Sequence, residues 1–100
     1  MQFKNLDENG YKRVCEFIAS KAKGVVVSDD CVCLKRSGLS NYFMFGMLWQ
    51  IIIEKDFVDF CMGTRPFCNI RIAVKIDNWN ELVDLYKATM AKGAARALSF

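Results

Sequence analysis

The chain has no histidine among its 100 residues. That removes Ser-His-Asp and Cys-His activation of a nucleophile, and with it the commonest acid/base group and metal ligand at neutral pH. Proline is nearly absent, with Pro66 alone, and the six glycines at 10, 24, 38, 46, 63 and 93 are isolated. No Gly-rich loop is available to cradle a phosphate. No apolar run reaches the ~20 residues that cross a bilayer. The longest, Tyr42–Ile53, is closed at once by Glu54, Lys55 and Asp56. The first ten residues hold no apolar core of a secretory signal, so none is expected. The five cysteines then read as reduced thiols, and the expected compartment is cytoplasmic.

A strong charge of one sign is also lacking. The net charge is +3 and the pI about 8.6, below the pI above ~9 of a dedicated nucleic-acid binder. The cations are nevertheless patchy. Residues 65–76 carry Arg65, Arg71 and Lys75 with no acid, and the last sixteen residues carry Lys87, Lys92 and Arg96 with no acid.

Apolar residues are in surplus. With glycine counted in place of tyrosine they make up 56 of 100, against a usual ~45–50%. The surplus is concentrated in residues 41–53, where only Gly46 and Gln50 interrupt the large side chains after Asn41. Phe43, Phe45, Met47, Trp49, Ile51 and Ile53 form one period-two set, and Tyr42, Met44, Gly46, Leu48, Gln50 and Ile52 the other. Neither face is polar, so a strand here needs cover on both sides. A buried helix is the competing reading, because Phe43, Met47 and Ile51 also share a helical face. Three successive isoleucines, four aromatics and Gly46 favour strand.

Around this stretch the pattern predicts a first helix over 7–23, with Asn5 and Glu8 as a capping box and Asp7 as a competing cap. Tyr11, Val14, Cys15, Ile18 and Ala22 give its apolar stripe, and Gly24 stands where a left-handed C-terminal residue is wanted. Short strands follow at 25–28 and 31–36. Residues 57–62 and 68–76 alternate, and Pro66 lies in the turn between them. A last helix is expected from the cap Asn78 with Glu81, carrying Trp79, Leu82, Val83, Leu85, Tyr86 and Met90, and ending or kinking at Gly93. The predicted fold is a single α+β domain over 1–100. It is a two-layer sandwich in which an N-terminal and a C-terminal helix cover one face of an antiparallel meander of about five strands.

The positive chemical features are few. Cys31, Cys33, Cys61 and Cys68 could supply a four-thiolate zinc site, but they lack the paired Cys-x2-Cys knuckles of a zinc ribbon. Small apolar packing explains free cysteines better, and no cofactor or metal is expected. Glu54 and Asp56 read as solvated turn residues before they read as an acid/base pair. Lys35, Arg36, Tyr42, Phe43 and Phe45 combine cations with aromatics, as single-strand binders do, yet core or interface is the better account of the phenylalanines.

The resulting expectation is a non-catalytic protein-binding module, an adaptor or inhibitor of the kind suited to a viral or mobile-element antagonist of a host protein. It is expected to form a homodimer through the sheet face the helices leave open, with Phe43, Phe45, Trp49 and Phe57 at the partner interface. The alternative is a nucleic-acid-binding module using Arg65, Arg71, Lys75, Lys87, Lys92 and Arg96. A small thiolate metal-binding protein comes third.

Overall fold

The computed structural model describes residues 1–36, 38–63, 69–74 and 80–88. The elements are β1 (Gln2–Lys4), α1 (Glu8–Lys21), β2 (Val25–Val27), β3 (Cys31–Arg36), β4 (Leu39–Met44), a 3-10 turn (Phe45–Met47), β5 (Leu48–Ile53), β6 (Phe57–Met62) and β7 (Asn69–Ala73). Residues 80–88 are helical and are called α2.

The α+β class is as expected, but the single five-stranded meander is replaced by two antiparallel sheets. One has the order β1-β5-β6-β7 and the other β2-β3-β4. The break falls inside the apolar stretch. β4 ends at Met44, the chain makes one 3-10 turn through Gly46, and β5 begins in the other sheet at Leu48. Strand was therefore the better reading of 41–53, but as two strands in two sheets.

Phase explains why the uniform alternation does not survive. Phe43 and Phe45 point into the core; after the three-residue turn Leu48 does, and after a bulge between Leu48 and Gln50 it is Ile51 and Ile53. Each interruption shifts the period-two pattern by one residue.

The first helix is capped by Asp7, whose side chain accepts from the Gly10 N–H at 2.7 Å. Asn5, the other expected cap, instead turns the chain out of β1 with φ of 59°, a left-handed conformation that asparagine tolerates better than most residues. β1 was not expected: three residues with one apolar side chain, Phe3, carry almost no alternation. It pairs Phe3 with Ile51 and Gln2 with Ile52.

The two sheets and the helices enclose one core. Tyr11, Val14, Cys15 and Ile18 of α1 pack with Val25, Val32, Leu34 and Phe43 of the three-stranded sheet. The same cluster contains Phe3, Ile51, Ile53, Val58 and Phe60 of the four-stranded sheet, together with Leu82 of α2. The Phe3 and Tyr86 rings meet edge-on at 5.8 Å, and Lys21 Nζ lies 3.1 Å from Glu81, tying α2 to β1 and α1. A second sheet thus supplies most of the cover that was expected from another polypeptide. The cap Asn78, the turn at 64–66, the strand residues Cys68, Lys75 and Ile76, and everything after residue 88 lie outside the described residues.

Candidate functional site

The outward face of the four-stranded sheet is polar at its centre. Gln50 Nε2 donates to Gln2 Oε1 at 2.9 Å. Arg71 Nε and Nη2 donate to the two oxygens of Asp59 at 2.7 and 2.9 Å, while the guanidinium lies 3.8 Å over the Phe57 ring. This fork raises the Arg71 pKa, first through its hydrogen bond to Asp59. Asp59 is buried and its charge is met by Arg71, so the pair closes this face instead of offering a greasy one.

That arrangement redistributes the expected sites. Phe43 and Phe45, expected at a partner interface, are 7% and 2% exposed and belong to the core. Their phase puts them on the inner side of β4 and its turn, beneath α1 and the second sheet, so neither is available to a partner. Phe57 is half-buried beneath Arg71, whereas Trp49 remains exposed at the bulge. Of the cations considered for nucleic acid, Arg71 is spent on Asp59 and Lys87 is exposed on α2. Arg65, Lys75, Lys92 and Arg96 lie outside the described residues.

The thiols are likewise dispersed. Cys15 is buried in α1, Cys31 and Cys33 lie on β3, and Cys61 is buried on β6 of the other sheet; all four are free. Burial pushes the Cys15 thiol up to about 12, and the Cys61 thiol is raised for the same reason. Raised thiols are poor nucleophiles, because the thiolate is the reactive form. Among the described residues no group of three possible metal-ligating side chains converges. Cys68 lies outside them.

What remains is the outer face of the three-stranded sheet. Val25, Val32, Leu34 and Phe43 point to the core, so alternation sends Val26, Cys31, Cys33, Tyr42 and Met44 the other way. Val26, Cys33 and Tyr42 lie in one cross-strand row, and Cys31 and Met44 in the next. Val26 is 50% exposed, Tyr42 67% and Met44 50%. Cys33 is buried although it lies outside the core cluster, being flanked by Val26 and Tyr42. The Tyr42 hydroxyl is held above its ordinary pKa, first by its hydrogen bond with the Cys33 thiol. The Cys31 sulfur lies 3.0 Å from Ser28 Oγ.

The sequence carries these residues in short apolar strands without marking the face they share. Val26 and Met44 were simply members of apolar runs, and nothing in a run without a polar side marks which half points outward. The one usable signal was the cross-strand match of two short β-branched or thiol strands, 25–28 and 31–36, with Tyr42. A second surface feature is an open groove of about 520 Å³ at the start of α1, lined by Leu6, Asp7, Glu8, Tyr11 and Gly46 among others. Two carboxylates and a cap already occupied make it a poor anion site.

Comparison with protein-family models, curated proteins and solved structures finds no match for this chain. Among the described residues no helix is long and apolar enough to cross a membrane.

Proposed function

We propose that the chain is a non-catalytic protein-binding module that self-associates through its three-stranded sheet and presents that sheet to partner proteins as an adaptor or inhibitor. The observation that carries this reading is the cluster of exposed Val26, Tyr42 and Met44 in two neighbouring rows of one sheet face. Aromatic and methionine side chains are enriched in binding surfaces, and tyrosine offers a large contact area at low cost in side-chain freedom. The four free thiols suit action in the cytoplasm, where cysteines stay reduced.

Light scattering across a concentration series tests it. The wild type is expected to reach the mass of a dimer, and Tyr42→Asp to remain a folded monomer by circular dichroism. The dimer should hold its mass between ~50 and ~200 mM salt, a range in which a phosphate-driven complex weakens steeply. A wild-type chain that stays monomeric at every concentration would overturn the reading.

A further inference from the structure

The geometry points to β4 as a strand-addition edge that pairs antiparallel with β4 of a second copy, joining two three-stranded sheets into one of six strands. This inference rests on the self-association proposed above and specifies how the contact is made: edge to edge, leaving both apolar outer faces free on the same side.

The four sheet edges differ in how they are guarded. Exposed edges invite pairing with other chains, and natural proteins blunt them with brevity, charge, proline or bulges. β1 and β2 have three residues each; β1 carries Lys4, and β2 lies against α1. β7 carries Arg71. β4 has six residues, Leu39 to Met44, with no charge, no proline and an unbroken register against β3. Among the described residues no strand pairs with its other side.

The hydrogen-bond phase shows what that edge offers. Phe45 N–H donates to the Asp30 carbonyl at 3.4 Å. Counting back in twos through the register, Phe43, Asn41 and Leu39 exchange their ladder bonds with β3. Ser40, Tyr42 and Met44 therefore direct their backbone N–H and C=O groups away from the sheet, and all three are exposed. A two-fold axis at Tyr42 sets Tyr42 against Tyr42 of the second copy and Ser40 against Met44, using all three outward residues. An uncharged strand meets its own copy without like charges opposed. In this arrangement Tyr42 and Met44 of both copies line one continuous outer face.

Two variants separate edge from face. Ser40→Pro deletes one outward N–H, keeps every β3 bond and leaves Val26, Tyr42 and Met44 in place. Val26→Asp charges the face on the far strand and leaves the edge intact. Edge pairing is supported if Ser40→Pro halves the solution mass at a concentration where the wild type and Val26→Asp remain dimeric. A dimeric Ser40→Pro overturns edge pairing, and a monomeric Val26→Asp beside it leaves self-association through the face. A monomeric wild type overturns the self-association reading itself. Amide exchange in the wild type, which needs no variant, decides the case if Ser40→Pro misfolds or both variants are monomeric. The Tyr42 and Met44 amides should lose exchange rate as concentration rises, and unchanged exchange in a proven dimer overturns the edge.

Discussion

Trp49 is the extra residue where β5 slips against β6, and a bulge leaves a backbone group that the ladder cannot use. The Trp49 carbonyl accepts instead from the Tyr11 hydroxyl at 2.8 Å, across a span of 38 residues. Tyr11 is buried but Trp49 is exposed, so the bond is only partly shielded from water. Tyr11→Phe is expected to lower stability by about 0.5–1.5 kcal/mol, the net contribution of one partly buried hydrogen bond, read as a fall in the urea midpoint. An unchanged midpoint would mean that the bulge satisfies itself. Cys15 governs a different condition. Its thiol pKa is raised from 9.0 to about 12, chiefly by burial. Below 9 both folded and unfolded chains keep the proton; above it the unfolded chain releases it first, so stability falls as pH rises towards about 12. Burial raises Tyr11 in the same direction. Cys15→Val should leave the urea midpoint at neutral pH close to wild type and make its decline near pH ~10 shallower. An identical decline in both proteins would place the alkaline sensitivity elsewhere.

The elements divide by how much of their pattern is local. α1, β3 and β6 were legible, β3 and β6 to the residue, because each alternates or cycles without interruption between turn residues. β1 was illegible: its single apolar residue gains meaning only from Ile51, far along the chain. The division of 39–53 was illegible for another reason. A three-residue turn and one bulge each change the phase, and no polar residue marks where. These phase changes go with buried Phe43 and Phe45, while Val26, Tyr42 and Met44 stay exposed. Gly24 has the left-handed backbone its place in the sequence suggests, but it does not end the helix. It was expected to end a helix, and its φ is +86°, yet α1 ends at Lys21 and Gly24 serves the next hairpin. Its carbonyl accepts from Lys35 N–H at 2.7 Å, and a Cβ there would stand 2.7 Å from the Lys35 carbonyl oxygen. Gly38 has a similar φ of +79°, but a Cβ there meets nothing within 4 Å. Gly38→Ala should therefore cost only the left-handed strain, about 1–2 kcal/mol, and Gly24→Ala distinctly more. Thermal unfolding of the two variants side by side reads the difference, and equal losses would show that the hairpin yields at no cost.

At the scale of the whole molecule, two sheets that share no hydrogen-bonded strand could unfold separately, and the core decides against it. Leu34 belongs to the three-stranded sheet and Ile51 to the four-stranded one, and both are fully buried in one cluster with Val14 and Ile18 of α1. Among the described residues neither sheet has a second apolar layer of its own. If one opened, the other would expose the same side chains, so the two are expected to unfold together. Leu34→Ala and Ile51→Ala should each lower stability by about 2–5 kcal/mol. In each variant a single urea transition should appear, coincident by circular dichroism and by amide exchange at β3 and β6. A variant in which β3 amides open while β6 amides stay protected would divide the molecule in two. The apolar surplus in the sequence would then belong to two marginal halves, and the outer face of the three-stranded sheet would be a product of local opening instead of a standing surface.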